Sequence, residues 1–155
     1  MLQLALSHRV SERILLSLRE AGFDAERYCR RHLAAGHNAH MGFRYLDSDR
    51  DGIRIALPIA EHLRDPDGDP ADAAVISLLD MAGTISVWVR GGMWWPQATV
   101  DLRVDWIRDG APETELIGQA SCETIRDDLA YVTGDARDGE GRRWARFAAT
   151  YMITR

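Results

Sequence analysis

Asp69-Pro-Ala-Asp-Ala-Ala-Val-Ile-Ser-Leu-Leu-Asp80-Met-Ala-Gly-Thr-Ile-Ser-Val-Trp-Val-Arg-Gly-Gly92 is the stretch whose reading decides the fold. Asp69 is a good N-cap, Pro70 suits the first helical position, and the Gly91-Gly92 pair is a stop, so the stretch predicts a helix ending near Arg90. Its apolar residues lie nearly all round, which marks a helix buried in protein on every side. The uncharged run from Ala73 to Val89 is slightly short for a membrane span and is interrupted by Asp80, so burial in a protein core is the expected reading.

Outward from that helix the pattern turns to period two. Val100, Leu102, Val104 and Trp106 alternate with Asp101, Arg103 and Asp105, which predicts a strand with one wet face. Strands are expected over 116–124, 129–135 and 144–153, joined by the turns Arg126-Asp127-Asp128 and Asp138-Gly139-Glu140-Gly141. Before the helix, 43–45 and 53–57 form a hairpin about the polar turn 47–52. The first forty residues read as a helical preface. Val10, Ile14 and Leu18 make one helix, and a second is capped by Asp24, stapled by Phe23 onto Tyr28 and closed by Gly36. The order predicts an α+β fold: an antiparallel sheet of about six strands meandering around one long central helix, with residues 1–40 as an N-terminal helical extension and 41–155 as the domain. One face of such a sheet and its edges are natural surfaces for a second copy.

Composition narrows the chemistry. The chain of 155 residues is 46% hydrophobic and carries a net charge of −5, the profile of one globular domain with no general attraction to nucleic acid or anionic membrane. All 19 basic residues are arginine, which excludes a lysine nucleophile or Schiff base. Cys29 and Cys122 form no CxxC pair and no signal peptide is recognisable, so a reducing, cytoplasmic setting is expected. The turn Asp47–Gly52 imitates half of a calcium loop but has Pro58 where a bidentate Glu is needed. His37 and His40 lack further ligands at zinc spacing, and no GxSxG elbow, P-loop or dinucleotide fingerprint occurs, so neither metal nor cofactor is expected.

Asp80 stands out as the only charge between Asp72 and Arg90, in a helix otherwise apolar. A buried carboxylate must be paired, face a cleft or change its pKa, so Asp80 is either a reacting group or a structural partner. Trp94 and Trp95, just after the helix, are candidates for the lining of an apolar acyl pocket or for packing at the core or a subunit interface.

The order of these pieces, with Asp65-Pro-Asp-Gly68, Leu78-Leu-Asp80, the strand 98–108 and the turn and strand 139–149, resembles the hotdog-fold thioesterases of the phenylacetate-pathway type over residues 41–155. The resemblance implies a hotdog fold, a homodimer or dimer of dimers, and hydrolysis of a small or aromatic acyl-CoA at sites shared between subunits. Counting back from Asp80 puts Ala71, Asp72 and Ala73 where that family carries His-Gly-Gly, Gly68 on its Gly, and Asp65 on its Asn or Gln. The roles implied are Asp80 as base or nucleophile, Asp65 orienting water, and a backbone N–H near Asp72-Ala73 as oxyanion donor. Gly68, Ala71, Trp94, Trp95 and Arg126 would contact the acyl-CoA. Arg126, with Arg90, Arg103 and Arg108, supplies forks for phosphate. The alternative function is a non-catalytic hotdog protein that binds an acyl-CoA or a related ligand, and a purely structural dimer comes third.

Overall fold

The computed structural model describes residues 22–50, 52–110 and 112–154. The helix expected over Val10–Leu18 therefore lies outside the described residues. The first described helix, α1 (Ala25–His32), begins as its sequence dictates. The Asp24 carboxylate accepts from the Arg27 N–H at 2.9 Å, and the Phe23 and Tyr28 rings meet at 5.6 Å. Its end departs from expectation: α1 stops at Leu33, and Gly36 opens a further short helix, α2 (Gly36–Met41), instead of closing the first. Gly42, left-handed at φ 72°, is the residue that stops the preface.

A hairpin follows, β1 (Arg44–Ser48) and β2 (Gly52–Pro58), then a single 3₁₀ turn at Glu61–Leu63 and the long helix α2's successor, α3 (Asp72–Gly91), capped by Gly92. Four strands complete the chain: β3 (Gln97–Trp106), β4 (Glu115–Arg126), β5 (Leu129–Asp138) and β6 (Arg143–Ile153). The predicted cap is displaced. Asp69 donates its N–H to the Asp65 carboxylate and its carbonyl accepts from the Asp65 N–H, so it is committed to the preceding turn, and the cap of α3 falls two residues later, on Ala71.

All six strands are antiparallel in the order β1-β2-β4-β5-β6-β3. Only β4, β5 and β6 meander; β3 leaves that sequence to lie beyond β6 as an edge. Its exposed Asp101, Arg103 and Asp105 suit an edge, where charge discourages indiscriminate strand pairing. Val100, expected within the apolar alternation, sits at a register break between Thr99 and Asp101 and is 58% exposed, because the extra residue of a bulge escapes the pleat.

The inner sheet face wraps α3. Val75, Leu78, Leu79, Ala82 and Ile85 of the helix are buried with Ile55, Leu57, Leu116, Val132, Phe147 and Tyr151 of the strands. By length and composition α3 is a helix that could cross a membrane, yet ten of its residues are buried within the protein. One contact sets the spacing of helix and sheet: a Cβ on Gly83 would stand 2.1 Å from the Tyr151 hydroxyl. Alanine is the better helix former by about 1 kcal/mol, but the overpacking it creates here costs roughly 1–3 kcal/mol. Gly83→Ala is therefore expected to lower the melting temperature by roughly 5 °C; a melting temperature equal to or above wild type, read by calorimetry, would contradict this packing.

Candidate active site

Asp80 lies midway along α3 on the flank that faces β3 and the end of β6. Thr99 Oγ1 donates to its Oδ1 at 2.8 Å, and the Tyr151 hydroxyl lies 3.2 Å from both that Oδ1 and the Asp80 carbonyl oxygen. Tyr151 is fully buried, and burial, reinforced by the Asp80 charge, pushes its phenol far above the ordinary range. It therefore stays a protonated donor. Among the described residues both donors sit on Oδ1 and none on Oδ2, while the residue as a whole is only half-buried. The result is a carboxylate fixed at one oxygen and open at the other, the geometry of a group that can take a proton or attack.

Neither partner was singled out in the sequence. Tyr151 falls on the inward face of β6 by simple alternation, and Gly83 inside an otherwise apolar helix marks the place where a bulky group must approach. Those two signals together point to Tyr151.

The start of α3 forms a second cluster. Asp72 and Ala73 are exposed, and the first N–H groups of any helix have no intrahelical acceptor. The Asp72 carboxylate pairs with Arg108 Nη2 at 2.8 Å, and the Arg108 guanidinium lies 5.3 Å from the Trp106 ring and 5.9 Å from the Trp144 ring. Upstream, Ala71 gives its N–H to Leu63 and accepts from the N–H groups of Ala74 and Val75. Asp65 Oδ1 accepts from the N–H groups of Asp67 and Asp69, both at 3.0 Å, and its carbonyl accepts from Gly68. Arg64 ties this loop down by donating to the carbonyls of Ile59, Gly68 and Glu113. Asp65 thus caps a turn, leaving Oδ2 for any water it orients.

Within one chain these clusters stay apart. Eight residues of helix separate Asp72 from Asp80, about 12 Å along the axis at 1.5 Å per residue. Trp94 and Trp95 lie at the far end. A Cβ on Gly91 would stand 2.1 Å from the Trp95 ring, the Trp95 carbonyl accepts from Trp88 Nε1 at 2.8 Å, and Trp94 meets the Trp88 ring at 6.0 Å. Trp88 also packs on Phe23 and Tyr28, so this aromatic group fastens α1 to the end of α3. Arg126 is exposed at the β4–β5 turn, which Asp127 and Asp128 make with left-handed φ of 50° and 65°. Two open hollows of about 190 Å³ each lie elsewhere, around Gln119 and Ser121, and neither includes Asp80. Among the described residues no group of three or more His, Cys, Asp or Glu is placed to hold a metal.

The geometry can be set beside known proteins. No protein-family model and no curated protein sequence matches the chain. Solved structures do. A thioesterase-superfamily protein known from X-ray work shares 23% identity at a TM-score of 0.72, over 84% of this chain and 96% of its own. A thioesterase of Haemophilus influenzae matches at 13% identity and 0.71, over 83% of this chain and 87% of its own. A thioesterase family protein of Silicibacter pomeroyi matches at 19% and 0.70, over 82% and 92% respectively. At these identities the likeness establishes the fold: this is a hotdog α+β domain.

The buried Tyr151 and the partly buried Tyr28 give a pH signature. Burial raises Tyr28 to about 12, and Tyr151 is raised as well, against about 10 in an unfolded chain. A group held protonated by folding contributes stability that is present below pH 10 and is lost as pH rises towards its folded value. Wild type should lose stability from pH 10 upwards, and Tyr151→Phe should fall less steeply over that range in denaturant melts; identical slopes would contradict the burial of this hydroxyl.

Proposed function

We propose that this protein hydrolyses the thioester of a small or aromatic acyl-CoA, as a hotdog enzyme of the phenylacetate-pathway type. The observation that carries the reading is Asp80, anchored at Oδ1 by Thr99 and Tyr151 with Oδ2 open, in a fold whose structural neighbours include thioesterases. In this mechanism Asp80 takes a proton from water, the resulting hydroxide adds to the thioester carbonyl, and collapse of the tetrahedral oxyanion expels the thiolate, which takes the proton back. As nucleophile instead, Asp80 would attack the thioester carbonyl and expel the thiolate to form a mixed anhydride; water then cleaves this to the free acid and the Asp80 carboxylate, supplying the proton that the thiolate takes up.

The oxyanion donor in either route is a backbone N–H at the start of α3, from Asp72 or Ala73, where helix polarity favours negative charge. The 12 Å between that start and Asp80 is too long for one carbonyl to touch both, since a reacting atom must lie about 3 Å from each. A second copy of the chain, bringing its own helix start to Asp80, supplies the missing half. The 39% exposed Ile76 on the flank of α3 and the edge strand β3 are the surfaces such a homodimer would cover, with a dimer of dimers as its extension. Asp65 orients water through its free oxygen, and Gly68, Ala71, Trp94, Trp95 and Arg126 contact the acyl-CoA. The enzyme works in the cytoplasm without cofactor, nucleic acid or membrane.

Ala71-Asp72-Ala73 in place of His-Gly-Gly favours a second reading, a hotdog protein that binds an acyl-CoA without cleaving it. Thiol release measured over short, long and aromatic acyl-CoAs separates the two. Asp80→Asn is expected to lower kcat by at least about a hundredfold with an unchanged melting temperature. Tight acyl-CoA binding by wild type with no thiol released from any substrate would leave the binding protein.

A further inference from the structure

We propose that Arg108 is a positioning residue for the reaction centre: it neutralises Asp72, so that the start of α3 remains able to receive a developing negative charge. The inference rests on the thioester reading above. Its ground is an electrostatic conflict on the helix itself. The N-terminus of α3 carries the positive end of the helix dipole, and a carboxylate on its first residue opposes any second anion there. Arg108 reaches that carboxylate from the strand end at 2.8 Å, forming a neutral pair beside the N–H groups of Asp72 and Ala73.

Arg108 is held in place at a conformational disadvantage. Its φ is +53°, a left-handed conformation that a residue with a Cβ adopts reluctantly. The N–H groups of Ile107 and Arg108 both donate to the Trp144 carbonyl, at 3.0 and 2.9 Å, and the Asp109 N–H donates to Arg143. These bonds lock the turn that throws the guanidinium back across Trp106 and Trp144 onto Asp72. Glycine would take this backbone more easily, so the arginine side chain is what the turn is there to present. The Trp106 and Trp144 rings help to hold the guanidinium, but its pairing with Asp72 adds little to folding. The two side chains keep 45% and 53% of their surface exposed, and an ion pair so solvated adds little stability.

Two measurements on the full-length protein test this. The first is steady-state hydrolysis of an acyl-CoA by wild type, R108Q, D72N and D72N/R108Q. R108Q should lower kcat by about tenfold or more with KM changed much less, because an unneutralised carboxylate acts on the developing charge. D72N in the R108Q background should recover kcat to within about threefold of D72N alone, all four melting together within a few degrees. The second needs no turnover: the infrared carbonyl stretch of a bound acyl-CoA analogue with methylene in place of sulfur, carbon-13 labelled, should move to higher frequency in R108Q and return in the double variant. Kinetics or a carbonyl stretch indifferent to R108Q, or a loss that D72N does not recover, would overturn the role of Arg108 while leaving the thioester reading intact. A wild type that neither cleaves acyl-CoA nor binds the analogue would overturn both.

Discussion

The Tyr151 hydroxyl reaches the backbone and side chain of Asp80 through a gap that exists because Gly83 has no side chain. That contact joins the last strand to the middle of the central helix and lets the only charge in the helix interior sit there. A carboxylate in an apolar helix needs donors to offset lost hydration, and among the described residues its donors are two hydroxyls, those of Thr99 and Tyr151. Neutral donors hold the oxygen in place without adding an opposite charge beside it. An arginine in their place would have made Asp80 a structural ion pair.

The elements with strong local rules were legible in the sequence. Asp24 caps its helix, Phe23 meets Tyr28, the Asp127-Asp128 turn makes its hairpin, and α3 ends on Gly92, each by chemistry confined to a few neighbours. What escaped was decided by partners distant in sequence or by competing local bonds. Asp69 lost its capping role to the Asp65 turn, and β3 took an edge beyond β6 that no local pattern specifies. Asp80 was visible as an isolated charge, but its donors, 19 and 71 residues away, were not. Trp94 and Trp95 read equally well as pocket or packing, and they pack against Trp88 and Gly91.

The two halves of the proposed chemistry depend on different physics. At Asp80 burial and hydrogen bonding fix a charge; at the helix start an exposed pair, Asp72 with Arg108, removes one. Between them stand two turns of rigid helix, a separation that side-chain motion does not close. The same rigidity that keeps Asp80 in register with Tyr151 keeps it from its own oxyanion donor. The proposed chemistry therefore calls for two copies, each lending the other what it cannot use itself.

Subunit complementation tests that claim most directly. Asp80→Asn removes one half of the site, and Ala73→Pro removes an N–H from the first helical turn, where proline is tolerated. Each variant alone should be inactive. Unfolded and refolded together in equal amounts, they should regain roughly a quarter of wild-type thioesterase activity, since random pairing makes half the dimers mixed and each of those has one intact site. Mixed dimers that form, shown by differently tagged copies co-purifying, and yet regain no activity would contradict the account.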